Sequence, residues 1–298
     1  YLPSEGGDEQ AGKERVRKLR ENDNIKGKLY QQKQEKMCFV AFYILLNVAE
    51  DIGVERKMLN KDLMGYLESM LERSNGDLLV LSVSFLKKLS VYAENKELMK
   101  NSTIVHRLGR FLPCSSGPLV QMTLQLLFNL SFDREMRSQM LKAGHIPKLI
   151  ALLKMPPYRG KTLKLLYHLS VDDRCKSMIT YGEGVPMIMG LIMNFPAPLL
   201  ARELAALAVN LSHFPKNAEA MVGNRGLNHL MDRLDNDYQE RDQGLLKIIR
   251  NISYWTFTMQ VSLSPSQSLS FKIWVRVRVS LALYCSADFL FHVWWCIR

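Results

Sequence analysis

Six polar side chains recur at one place in an otherwise apolar helical pattern. They are Asn47, Lys88, Asn129, His168, Asn210 and Asn251, separated by 41, 41, 39, 42 and 41 residues. An asparagine both donates to and accepts from a peptide backbone, so a row of such groups on one face can hold an extended or helical partner chain. The alternative is that each satisfies neighbouring backbone within the fold, and the residues alone leave both readings open. Lys87, Lys164, Lys247 and Arg250 lie beside the row, and cations there favour acidic segments. The chemistry implied is recognition, with no bond made or broken.

Other residue types point away from catalysis. No GxxxxGK[ST] loop occurs, and Gly182-Glu183-Gly184 lacks the third glycine and the preceding strand of a dinucleotide site. His168, Ser170 and Asp172 are close in sequence, but a helix sends residues two apart to different faces. The six histidines are scattered and form no metal-ligand spacing. The five cysteines, 38, 114, 175, 285 and 296, include no CxxC pair; Cys38 and Cys175 beside apolar helices fit reduced core thiols of a cytosolic protein. Asn101, Asn129, Asn210 and Asn251 match N-x-[ST], yet three of them fall at one position inside an apolar helix, so the motif is a by-product of periodicity. The expectation is a non-enzymatic chain with no catalytic, cofactor-binding or metal-ligating residue and no small-molecule substrate.

The elements that position the row are repeated as well. Each polar residue sits in an apolar octet: 42–49, 83–90, 124–131, 163–170, 205–212 and 246–253. A second set of anchors, Leu63, Ile104, Ile146, Val185 and Leu227, opens a shorter helix with steps of 41, 42, 39 and 42 residues. Ahead of each lies a short helix and a turn, often with glycine, as in Ala143-Gly144-His145 and Tyr181-Gly182-Glu183-Gly184. A unit of short helix, helix and long helix with this period favours armadillo over the two-helix HEAT unit. One unit cannot bury its apolar face alone. Stacking buries four or five aliphatics per long helix, at roughly 1.5–3 kcal/mol each. The expected fold is an all-α, right-handed armadillo-repeat solenoid of about five complete repeats plus a partial first repeat.

Three regions follow. Residues 1–36 read as a flexible start and a basic helical lead-in, residues 37–258 as the repeats, and residues 259–298 as an atypical aromatic and basic tail outside the solenoid. Three of the four tryptophans lie in that tail. Its stretch 279–297 is at the short end for a membrane span and is interrupted by Asp288 and His292, so no membrane insertion is expected. The chain opens on Tyr1 rather than Met with no secretory signal, as expected of a fragment. A net charge of +11 raises nucleic acid as a partner, but the basic residues are spread along the chain as on solvated helix faces, and no nucleic acid is expected.

Particular runs narrow the family. Ser84-Phe85-Leu86-Lys87-Lys88-Leu89-Ser90, Leu127-Phe128-Asn129-Leu130-Ser131-Phe132-Asp133, Leu166-Tyr167-His168-Leu169-Ser170-Val171-Asp172-Asp173-Arg174-Cys175 and Ile249-Arg250-Asn251-Ile252-Ser253 resemble, in this order, the kinesin-associated protein family. That family supplies the non-motor accessory subunit of heterotrimeric kinesin. The resemblance implies an adaptor that binds the tails of the paired motor subunits and links cargo-adaptor proteins to them. It implies microtubule-based and ciliary transport, in the cytoplasm, on microtubules and in the cilium. Family members continue with further repeats, whereas this pattern stops near Thr258. The rival readings are a generic armadillo scaffold of another pathway, an import receptor of the importin-α type and a nucleic-acid-binding solenoid. The import reading calls for tryptophan four residues before each row position, where this chain has Tyr43, Ser84, Gln125, Lys164, Ala206 and Lys247.

Overall fold

The computed structural model describes residues 6–235 and 242–261. The described residues are helical, with no strand among them. The chain divides into two compact units, meeting between Ile104 and Val105. The tail beyond residue 261 lies outside the described residues.

In the first unit, α1 (Gly6–Val48) is followed by α2 (Ile52–Leu59), α3 (Leu63–Met70), α4 (Gly76–Leu89) and α5 (Ala93–Lys100). Helix α1 runs unbroken past residue 36, so the expected boundary between 36 and 37 falls inside it. Its inner face is confined to the C-terminal part, where Glu35 and Phe42 are buried. Helix α4 packs on α1 and carries Leu78, Phe85, Leu86 and Leu89 fully buried; steps of three and four residues keep such side chains on one stripe. Local chemistry sets the helix starts. The Asp51 and Asn75 carboxylate and amide oxygens accept from Val54 N at 2.9 Å and Leu78 N at 3.0 Å, pairing orphan donors of the first turn. Asn95, buried on α5, donates to Glu55 Oε1 of α2 at 2.7 Å and to Leu89 O at 3.0 Å.

The second unit takes in most of α6 (Ile104–Leu108), then α7 (Gly117–Leu130), α8 (Arg134–Lys142), α9 (His145–Leu152), α10 (Pro156–Leu169), α11 (Asp173–Tyr181), α12 (Gly184–Met193), α13 (Arg202–Ser212), α14 (Pro215–Val222), α15 (Gly226–Asp235) and α16 (Gln243–Val261). In chain order α2 to α16 form five short–middle–long triplets, and α1 supplies the long helix of a partial first repeat. The long helices α7, α10, α13 and α16 pack each on the next. Leu124, Leu127 and Leu130, then Leu163, Leu166 and Leu169, then Leu204, Leu207 and Leu211, then Ile248, Ile249 and Ile252 are buried along the seams. The turn before the middle helix takes a left-handed residue at Gly144, Glu183 and Arg225, with φ of 70°, 58° and 60°. Only glycine does so without steric cost. Among the described residues no helix is long and apolar enough to cross a membrane.

Candidate partner-binding surface

Five of the six row positions fall near the C-terminal ends of the long helices, and Asn251 lies midway along α16. In the first unit Asn47 is exposed, and its amide donates to Tyr43 O of its own helix at 2.9 Å. Lys88 is half-buried and donates to Leu46 O at 3.1 Å. In the second unit Asn129, His168 and Asn210 are half-buried and Asn251 is buried.

Three of the second unit's four share one circuit. His168 Nδ1 lies 2.9 Å from Ser131 Oγ, Asn210 Nδ2 donates to Ser170 Oγ at 3.0 Å, and Asn251 Nδ2 donates to Ser212 Oγ at 2.9 Å. Each serine belongs to the preceding long helix and donates its own hydrogen to a carbonyl three residues back. The acceptors are Phe128 O at 2.7 Å, Tyr167 O at 2.6 Å and Val209 O at 2.7 Å. A hydroxyl has one hydrogen, so these serines accept from the row and His168 carries its proton on Nδ1. Ser131 is therefore an acceptor and not an activated nucleophile. The first repeat ends in Ala49 where the others have serine. There Lys88 reaches the carbonyl three residues before Ala49 directly. The row is in part an inter-repeat tie, and the serines that complete it were not singled out from the sequence, although each follows its row residue by two positions.

The electrostatics agree with neutral imidazoles. Burial, aided by the Arg137 guanidinium, lowers the pKa of His168. Burial followed by Arg250 and Lys176 lowers that of His213, whose Nε2 accepts from Asn251 at 3.3 Å. Arg137 of α8 donates to Asp172 Oδ2 at 2.7 Å and to Ser131 O at 2.9 Å. Asp172 is thus tied to Arg137, and His168, Ser170 and Asp172 are not brought together. Burial, then Asp172, raises the Cys175 thiol to about 11, which makes it an inert core thiol. Among the described residues no group of three His, Cys, Asp or Glu is placed to hold a metal ion.

The basic positions divide. Lys164 is exposed but pairs with Glu203 of α13 at 3.4 Å. Lys247 and Arg250 of α16 are exposed, and Arg250 leans on Asn251 Oδ1 at 3.4 Å. Lys87 of the first unit is half-buried.

Beside the row lies an apolar line in the second unit. Phe132, Val171 and Tyr254 each occupy the position after the terminal serine and are 62%, 61% and 62% exposed. Phe132 packs edge-on to Phe128 at 5.3 Å and to His168 at 4.5 Å, while Tyr167 meets His168 at 5.7 Å. Imidazole and aromatic rings thus make an ordered, partly exposed platform at the ends of α7 and α10. Aromatic side chains with one face wet are the usual anchors of protein–protein contacts. The recurrence of Phe132, Val171 and Tyr254 one residue after Ser131, Ser170 and Ser253, with His213 after Ser212, is the sequence signal that could have found them.

Comparison with known proteins adds the family. A profile described as Kinesin-associated protein (KAP) matches residues 8–264. Among solved structures, an engineered protein has a TM-score of 0.59 at 14% identity, covering 72% of this chain and 91% of its own. A designed armadillo repeat protein has a TM-score of 0.57 at 11% identity, covering 74% and 93%. A chain from work on a phosphorylation switch controlling the interaction between cadherin and beta-catenin has a TM-score of 0.53 at 21% identity, covering 63% and 36%. At these identities the likeness is one of fold, and the fold is the armadillo array.

Proposed function

Because this chain belongs to the kinesin-associated protein family, we propose that it is a non-enzymatic accessory subunit of a heterotrimeric kinesin, binding motor-subunit tails and linking cargo-adaptor proteins to them. The observation that carries the reading is the exposed line of Phe132, Tyr167, Val171 and Tyr254, flanked by Lys247 and Arg250. An apolar line with cations at one end suits a helical or extended segment bearing aliphatic anchors and acidic flanks. The row residues contribute twice in this reading. The N–H groups of His168, Asn210 and Asn251 tie successive long helices together, which fixes the spacing of the anchors. His168 and Asn210, being half-buried, present their remaining edges to a bound backbone. Microtubule-based and ciliary transport, in the cytoplasm and the cilium, is the setting this role implies.

The test is titration of recombinant motor tail segments into the full chain. Saturable binding at low micromolar concentration is expected, weakened several-fold by Lys247→Glu with Arg250→Glu and by raised salt. No retention of any tail segment at that concentration sinks the proposal.

A further inference from the structure

Two successive repeat boundaries of the second unit differ by one carboxylate. At the earlier one, Arg137 of α8 donates to Asp172 Oδ2 at 2.7 Å and to Ser131 O at 2.9 Å. The next repeat places Lys176 of α11 where Arg137 stood and Phe214 where Asp172 stood. Arg137 and Lys176 each come six residues after their repeat's terminal serine, and Asp172 and Phe214 each come two after theirs. Phe214 brings no oxygen. Lys176 turns instead to Asp173 of its own helix at 2.8 Å, and that carboxylate is 79% exposed, so water screens the pair.

Two further donors meet there, held by one buried amide. Asn251, only 6% exposed, gives one hydrogen to Ser212 Oγ at 2.9 Å and the other to His213 Nε2 at 3.3 Å. Its Oδ1 accepts from Arg250 Nη2 at 3.4 Å. Because Nε2 accepts, the neutral His213 ring carries its hydrogen on Nδ1. His213 and Arg250 are both exposed. The charged groups that act on His213 are Arg250 and Lys176, both cationic. Lys247, one turn before Arg250 on α16, is exposed too. Among the described residues neither Arg250 nor Lys247 is paired with a carboxylate.

We propose that Lys176, His213 and Arg250 form an oxyanion-binding subsite, which takes an acidic or phosphorylated side chain of the bound segment in the role Asp172 plays one repeat earlier. The donors come from three elements, α11, the C-cap of α13 and α16. Three separate donors suit the several oxygens and higher charge of a phosphate better than the two oxygens of a carboxylate. His213 holds the position that Phe132 and Val171 hold in their repeats. The anion therefore falls inside the apolar line, between the contacts to Val171 and Tyr254, and fixes the register of the segment. The identity of that segment rests on the motor-tail reading; the subsite does not.

NMR of the full chain tests this through the imidazole signals. His213 is assigned by its loss in His213→Gln, and the exposed His106 and His229 serve as internal controls. Inorganic phosphate is expected to shift His213 saturably at millimolar concentration, at least about threefold more tightly than acetate at matched ionic strength. Acetate binding as tightly as phosphate supports the subsite with a carboxylate as its natural occupant. Lys176→Gln with Arg250→Gln should remove the saturable shift. Phe214→Asp, which supplies the carboxylate from the chain itself, should remove it as well. The double variant carries the test if Phe214→Asp lowers the thermal transition. An equal response from His106 and His229, or saturation retained in the double variant, overturns the proposal. A motor tail segment whose Kd is unchanged in saturating phosphate overturns it also. A chain that retains no tail segment yet shows the His213 shift refutes the motor role and supports the subsite.

Discussion

Asn251 and Ser212 offer the sharpest test of the inter-repeat tie, because both are buried and their bond joins two long helices. Asn251→Ala removes the 2.9 Å bond to Ser212 Oγ but leaves Ser212 donating to Val209 O at 2.7 Å. The loss is that bond, the longer one to His213 Nε2 at 3.3 Å and the Arg250 contact at 3.4 Å, plus slight packing, together about 1–2 kcal/mol. Ser212→Ala removes both of the serine's bonds and leaves the buried Asn251 amide only its longer bond to His213, so about 2–3 kcal/mol is expected. In the double variant no donor is stranded, and the combined loss should fall short of the sum by about 1 kcal/mol. Equilibrium urea unfolding at constant m-value measures the cycle. Amide exchange of α13 and α16 reports whether the loss is local, as nearest-neighbour coupling between repeats requires. Strict additivity, or single losses below about 0.3 kcal/mol, would refute the tie.

Three further outcomes are expected. His145 is fully buried with neither ring nitrogen hydrogen-bonded, and burial, then Lys148 and His106, lowers its pKa to about 4. The unfolded chain binds the proton first as pH falls, so the contribution is complete above about pH 6.5 and declines toward about pH 4 by up to roughly 3 kcal/mol. Urea midpoints of the parent and His145→Gln across that window check this, with the variant flatter. Gly144→Ala meets no atom within 4 Å of the added Cβ but holds φ at 70°, so it should cost about 1–2 kcal/mol from conformation alone, read as a lower Tm. Arg137→Ala breaks a mostly buried pair with Asp172 and frees Ser131 O; a loss of about 2–3 kcal/mol and a rise in the His168 pKa, followed by NMR, are expected.

Much of the fold could be read from the sequence, because stacked repeats impose their period on the apolar residues. The long-helix octets and the starts of the middle helices fall within a residue of the helices observed. The site was legible only in part. Periodicity aligns equivalent positions, but it does not say which atom one repeat offers the next; hence the serines, and the substitution of a lysine–carbonyl bond where Ala49 stands, emerged only in three dimensions. Lys164 reads as a free groove cation until Glu203, which lies on the next long helix, is brought to 3.4 Å. Phe132 and Tyr254 carry no mark of exposure in the sequence, yet each follows its repeat's serine and is more than half exposed. Glu183 and Arg225 in left-handed backbone were concealed by neighbouring glycines, which seemed the natural turn residues.

The proposal that a motor tail segment lies along Phe132, Tyr167, Val171 and Tyr254 of the second unit is best tested by comparing exposed residues on and off that line. Affinity of the tail segment should be measured for the full chain, for Phe132→Ser with Tyr254→Ser, and for Tyr181→Ser on α11, which is 74% exposed but off the line. At least about a tenfold loss is expected for the pair, with a parent-like Kd for Tyr181→Ser. Parent-like binding by the pair, or equal losses at both places, would contradict it.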